Sequence, residues 1–110
     1  MSGADPGVRV VLVTAPDEAC AERLARALVE ERLAACVNVL PGVRSFYRWE
    51  GVVQDDTELL LVAKTRPERL EALAARVKEL HPYDLPEVLE IPATGGSDAY
   101  LDWVRSESSS

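Results

Sequence analysis

The sequence predicts an α+β fold in which one antiparallel sheet carries two helices on one face. Two observations support this prediction. Apolar residues alternate with a period of two in some segments and recur with helical spacing in others. The order of these segments is β-α-β-β-α-β, followed by a short C-terminal helix. This order is that of the ferredoxin-like arrangement, and 110 residues suffice for one such domain with its own core.

The first part of the chain predicts a buried strand and an amphipathic helix. The mostly β-branched run from Val8 to Val13 is typical of a buried strand. Thr14 is expected to cap the next helix, because Pro16 and the acids after it suit a helix N-terminus. One face of this helix is apolar and is formed by Ala21, Leu24, Ala25 and Leu28.

A long hairpin between Val43 and Thr65 is the most informative stretch of the sequence. Glu50 and Gly51 are expected to form its turn, because glycine supplies a positive φ. Pro41 and Gly42 interrupt the strand before it, which predicts a bulge or bend. An arm of about fourteen residues spans roughly 45 Å, whereas a domain of this size has a radius of gyration of about 13 Å. The hairpin is therefore expected to project and to pair with another copy.

The second part of the chain predicts a helix, a strand and a final helix. Thr65 and Glu68 have the spacing of a capping box, and the apolar residues that follow have helical spacing. The helix is expected to end at His81, because a residue before proline is pushed out of the α region. Residues from Glu87 to Ile91 are predicted to form the last strand, and Ser97 is predicted to cap the final helix.

We assign residues 1–7 to a flexible N-terminus, 8–105 to a single domain and 106–110 to a flexible tail. The net charge of −7 argues against nucleic acid or an anionic membrane as a partner. Neither an apolar targeting segment nor a membrane-spanning run is visible, so a cytoplasmic protein is expected. Neither a nucleophile elbow nor a catalytic triad order is visible, so no catalytic residues are predicted.

Four motifs together resemble the CutA family of divalent-cation tolerance proteins. They are A-A-C-V-N-V-L-P-G-V-R-S-F-Y-R-W-E-G, E-L-L-L-V-A-K-T, H-P-Y-D-L-P-E and Y-L-D-W-V, in this order. The resemblance covers roughly residues 8 to 105. It implies a ferredoxin-like subunit, an intertwined homotrimer built on the long hairpins and a shape similar to the PII signalling proteins. It also implies a non-enzymatic role linked to copper or other divalent metals.

The candidate metal ligands are Cys36 and His81, with Glu87 as a third candidate. Each has a structural alternative: a free cysteine is usually buried, and His81 is able to cap the helix end. Because one chain offers few ligands, a metal site is expected in a cleft between subunits. Some metal-linked relatives carry cysteine and histidine where this chain has Val13 and Leu80, so weak binding of Cu(II) or another divalent cation is expected.

A second group of residues predicts a small polar cleft that binds a ligand. Its members are Trp49, Glu58, Lys64, Tyr83 and Glu87. Lys64 either binds a small anion or metabolite there or pairs with a carboxylate across an interface. Trp49 and Trp103 are also candidates for interface anchors. The alternative to a metal-tolerance protein is therefore a PII-like small-molecule sensor or a scaffold that works without metal.

Overall fold

The computed structural model describes residues 4–110. Its elements are β1 (Arg9–Ala15), α1 (Glu18–Glu30), β2 (Cys36–Trp49), β3 (Val52–Thr65), a 3₁₀ turn (Pro67–Arg69), α2 (Leu70–Leu80), β4 (Leu89–Pro92) and α3 (Asp98–Glu107). The strands form one four-stranded antiparallel sheet with the order β2-β3-β1-β4. The α+β class and the element order predicted from the sequence are confirmed.

The main core lies between one face of the sheet and the helices α1 and α2. Alternate residues of β1 and β3 point into it, as the period of two requires. The helices contribute the residues that recur at helical spacing. Side chains that are fully buried in this core include Val11, Val13, Leu24, Leu28, Leu61, Leu73 and Val77.

The opposite face of the sheet is left uncovered, and we call it the open face. Strand register places Leu12 beside both Val62 and Leu89, and it places Leu60 beside Leu40. Leu40 and Leu89 are 43% and 55% exposed. The register places these apolar side chains on this face: Val10, Leu12, Leu40, Leu60, Val62, Leu89 and Ile91. A contiguous apolar surface of this kind marks a binding face.

The hairpin is formed by β2 and β3, which pair from Cys36 and Lys64 out to Trp49 and Val52. Its turn has φ angles of 50° at Glu50 and 79° at Gly51, which confirms the predicted turn. The register shifts between Leu40 and Val43, so the predicted bulge at Pro41 and Gly42 is also confirmed. The molecule measures 46 × 31 × 23 Å, so arms of 14 residues extend nearly its full length.

The predicted caps of the two longer helices are wrong. Thr14 belongs to β1, which runs on to Ala15, and the carboxylate of Asp17 instead accepts a 2.8 Å bond from the Cys20 amide. Thr65 does not cap α2, because its buried hydroxyl donates a 2.7 Å bond to the Leu33 carbonyl. The predicted end of α2 at His81 is confirmed, and so is the Ser97 cap of α3.

The chain termini contact the domain where the structure describes them. Of the segment 1–7, residues 1–3 lie outside the described residues, whereas Asp5 pairs with Arg9. The segment 106–110, which we expected to be flexible, is held because Ser108 is fully buried and Arg32 donates a 2.7 Å bond to the Ser109 carbonyl. The last strand starts at Leu89 rather than at Glu87.

Replacing Thr65 by valine is expected to lower the free energy of unfolding by about 1–3 kcal/mol. The change keeps the shape but leaves the Leu33 carbonyl without its hydroxyl partner in the interior. Urea denaturation at a fixed protein concentration measures the effect. Thr57→Val is the control, because Thr57 is exposed on the same strand and its replacement should cost about 0.5 kcal/mol or less. Equal effects of the two changes would contradict the prediction.

Candidate functional site

One wall of the candidate site is the loop that follows α2. Pro82 forces the residue before it into an extended conformation, and His81 has φ −84° and ψ 138°. The His81 amide still donates a 2.9 Å bond to the Val77 carbonyl, so the helix is closed at this residue. Pro82 and Pro86 bracket the loop and restrict its backbone. The sequence therefore fixes the position of the side chains between the two prolines.

The imidazole of His81 joins this loop to the end of β1. Its Nε2 lies 2.7 Å from the Thr14 carbonyl oxygen, which can only accept a hydrogen bond, and its Nδ1 accepts a 3.2 Å bond from the Tyr83 amide. The ring is 7% exposed and lies 4.6 Å from the Tyr83 ring, centroid to centroid. Both nitrogens are thus engaged with the backbone, but with that of Thr14 and Tyr83 rather than with the carbonyls of the helix end.

The second wall is the base of the hairpin. Register places Val43 beside Glu58, Ser45 beside Asp56 and Tyr47 beside Gln54, so these side chains share one face of the hairpin. Trp49 lies farther along the same face. Glu58 is only 5% exposed, and its Oε2 accepts a 3.0 Å bond from the Tyr83 hydroxyl. This bond ties the hairpin to the loop after α2.

A cleft of about 710 Å³ lies between these two walls. Four of the five predicted cleft residues line it: Trp49, Glu58, Tyr83 and Glu87. The other lining residues are Thr14, Ser45, Phe46, Tyr47, Arg48, Pro82, Asp84 and Leu85. The prediction of the cleft missed Tyr47 and Ser45, although they alternate with Trp49 on the same face.

The structure places Lys64, the fifth predicted cleft residue, elsewhere. Lys64 pairs in register with Cys36, and its Nζ bonds Asn38 Oδ1 and lies 3.9 Å from Cys36 Sγ. It is six residues along β3 from Glu58, or about 20 Å in an extended strand. One chain therefore does not bring Lys64 together with Tyr83 and Glu87, and the cleft is acidic.

Burial and the negative charge of the cleft shift the pKa values of two of its side chains. Burial raises the pKa of Glu87 above its usual value, and the nearby Glu58 raises it further. Burial also raises the pKa of Tyr83, with a second contribution from its hydrogen bond to Glu58. Tyr83 is therefore a neutral donor at physiological pH, and Glu58 is the group that accepts its bond.

The predicted metal ligands do not meet within one chain. Cys36 pairs with Lys64, whereas His81 bonds to Thr14, which pairs with Leu60 four residues along β3. Within residues 4–110, no three side chains of His, Cys, Asp or Glu lie close enough together to hold a metal ion. The residues of a single described chain therefore do not fit a closed site for a transition metal.

Replacing Glu87 by glutamine is expected to raise the thermal midpoint at pH 7–8 and to leave it unchanged below about pH 4.5. Because the pKa of Glu87 is raised by folding, the folded state holds the proton more tightly than the unfolded chain. Its contribution to stability is present at low pH and is lost as the pH rises through the raised pKa. Thermal melts from pH 4 to 8 measure the difference.

Glu30→Gln is the control for this measurement, because it removes the same charge from the exposed side of α1. A Glu87→Gln protein that is less stable than the parent chain at pH 7–8 would contradict the stated sign.

Comparison with known proteins identifies one family, and the match extends over nearly the whole chain. A family profile described as "CutA1 divalent ion tolerance protein" matches residues 9–107. "Divalent-cation tolerance protein CutA" of Thermus thermophilus is 54% identical over 96 residues, which cover 87% of this chain and 93% of that protein. "Protein CutA, chloroplastic" of Arabidopsis thaliana is 52% identical over 88% of this chain and 53% of its own length.

A solved structure gives the same result for the fold. The "Periplasmic divalent cation tolerance protein CutA" from Archaeoglobus fulgidus superposes with a TM-score of 0.89 at 37% identity, and the match covers 93% of this chain and 99% of that one. The sequence match and the shared fold extend over the sheet, the hairpin and the loop that form the cleft. The chain therefore belongs to the CutA1 divalent ion tolerance protein family.

Proposed function

We propose that this protein is a non-enzymatic homotrimer that contributes to divalent-cation tolerance by binding metal weakly at clefts between subunits. One observation carries the proposal: by strand alternation Glu58 lies in line with Leu60 and Val62 of the open face. A copy of the chain that covers the open face therefore borders the acidic cleft. Three copies is the number that the resemblance to the CutA family implies.

Assembly is supported by apolar surface that one chain leaves uncovered. The open face presents Leu40, Leu89 and Ile91 to solvent, and the hairpin adds Val53 at 62% exposure. Burying such side chains stabilises an interface by about 25 cal/mol for each Å² of apolar area removed from water. The hairpin also offers unpaired strand edges to a neighbour. A second and third copy are the occupants that fit both features.

Replacing Val62 by glutamate is expected to break the assembly. The change places an unpaired charge in the centre of the proposed interface, where burial without a partner is strongly unfavourable. Sedimentation of the parent protein should give about three times the chain mass of 12.0 kDa, and the variant should give the mass of one chain. Ala72→Glu is the control, because Ala72 is exposed on α2. A parent protein that sediments as one chain at micromolar concentration would refute the trimer.

For the metal, we propose the acidic side of the cleft, where Glu87 is an exposed carboxylate and Glu58 is the buried one. Cys36 and His81 are the alternative ligand pair, and a site that uses both needs them from different subunits. Binding is weak in either case, because no closed set of ligands exists within residues 4–110 of one chain. The name of the family is the reason to expect a divalent cation.

A titration with Zn(II) and Cu(II) separates the two ligand sets. Metal that binds the folded protein raises the thermal midpoint by mass action. If the cleft carboxylates bind it, Glu87→Gln should reduce the rise and Cys36→Ser with His81→Ala should keep it. Zn(II) is included because it does not oxidise thiols. If the thermal midpoint still rises in Glu87→Gln but not in the variant that combines Cys36→Ser with His81→Ala, the metal binds Cys36 and His81. A complex that resists a strong chelator would refute weak binding.

The second candidate is a small-molecule sensor of the PII type, and the aromatic side chains of the cleft favour it. The carboxylates of the cleft favour a cation over the small anion predicted from Lys64. No helix within residues 4–110 has the length and apolar character needed to cross a membrane. We propose the cytoplasm as the location, supported by the free thiols of Cys20 and Cys36.

A further inference from the structure

The buried carboxylate of Glu58 lacks a cationic partner. Among residues 4–110, no lysine or arginine forms an ion pair with it, and its one hydrogen bond comes from the Tyr83 hydroxyl to Oε2. A carboxylate has about four acceptor positions, so Oε1 keeps its capacity to bind a donor. A side chain that is 5% exposed rarely carries a charge without a partner.

The residues around Glu58 add further negative charge. Glu87 and Asp84 line the same cleft, so the carboxylates outnumber the basic groups. Arg48 is the basic residue in the lining, and it donates a 3.5 Å bond to the Gly51 carbonyl at the hairpin turn. Register also places Arg48 on the face of the hairpin opposite Trp49 and Tyr47. The net negative charge of the cleft therefore favours the binding of a cation from outside the chain.

Aromatic rings supply the second half of the site. Tyr47 and Trp49 project from the hairpin on the face that carries Glu58, and Tyr83 projects from the opposite wall. The π faces of such rings attract ammonium groups, and tryptophan does so most strongly. They also provide apolar contact for a carbon chain. The volume of about 710 Å³ lies in the usual range for organic ligands and is far larger than a single ion needs.

We infer that the cleft binds a small organic cation that carries a protonated amine, with Glu58 as its counter-ion and Trp49 and Tyr83 as its walls. The amine donates its N–H groups to Oε1 of Glu58, and the carbon chain lies against the rings. Glu87 and Asp84 offer a second anionic position for a diamine. This inference goes beyond metal tolerance, and the residues that it uses all belong to one chain.

Calorimetric titration at pH 7.5 and constant ionic strength tests the inference with three probes of similar carbon skeleton. These are 1,4-diaminobutane, n-butylamine and n-butanol. The two amines should bind, and the alcohol should not, because it lacks the charge that Glu58 requires. Binding of the alcohol with the affinity of n-butylamine would overturn the inference, and so would the absence of binding by both amines.

Variants separate the two halves of the site. Glu58→Gln should weaken amine binding by about tenfold to a hundredfold, because it removes a charge-assisted hydrogen bond. Trp49→Leu should weaken it by about threefold to thirtyfold, and Trp49→Phe should restore part of the loss. Glu30→Gln is the control for net charge and should have no effect. Equal losses in Glu58→Gln and Glu30→Gln would show non-specific attraction and overturn the assignment.

The same samples distinguish this inference from the proposed metal function. Zn(II) binding needs the carboxylates and should survive Trp49→Leu, whereas amine binding needs the ring as well. Sedimentation of each variant shows whether assembly is intact, and thermal melts show whether Glu58→Gln is folded. If Glu58→Gln does not fold, the Trp49 pair and the three probes still decide the question. Metal binding without amine binding would refute only the organic ligand.

Discussion

The cleft exists because β1 ends before β3 does. β3 pairs with β2 from Val52 to Lys64, apart from the bulge, but its other partner β1 stops where Ala15 faces Leu59. Glu58 lies next to Leu59 on β3, just beyond the end of β1. On the side of β3 that faces β1, Glu58 therefore has no neighbouring strand. The loop after α2 occupies the space, and Tyr83 bonds Glu58 across it. The position of one strand end thus determines where the hairpin leaves the domain and where the cleft forms.

The carboxylate of Glu58 is almost fully buried. A polar residue that is 95% buried requires hydrogen bonds, and Glu58 has one from Tyr83. The shifts at Glu87 and Tyr83 have the same origin, because burial and the charge of Glu58 both oppose ionisation there. A neutral residue would suit a purely structural role better. The retained charge is consistent with a cationic ligand that completes the site.

The sequence predicted the features that depend on local chemistry. The hairpin turn at Glu50 and Gly51 and the bulge at Pro41 are both confirmed. Both predictions follow from the backbone preferences of glycine and proline. The predictions that Thr14 and Thr65 cap helices are wrong. Thr14 belongs to β1 and Thr65 bonds the Leu33 carbonyl, and sequence spacing does not reveal such tertiary contacts. The family motifs identified four cleft residues. They did not place Lys64 correctly, because six residues of extended strand separate it from Glu58 by about 20 Å.

Lys64 contributes to the open face rather than to the cleft. It is the charged residue among apolar neighbours there, and it bonds Asn38 within its own chain. In the proposed trimer, a neighbour that covers this face must leave that pair intact or supply an equivalent acceptor, because an unpaired buried ammonium is strongly unfavourable. An apolar face without Lys64 would accept a partner in several registers. In the proposed trimer, the pair of Lys64 and Asn38 would therefore restrict how copies pack, and it would do so at a distance from the cleft.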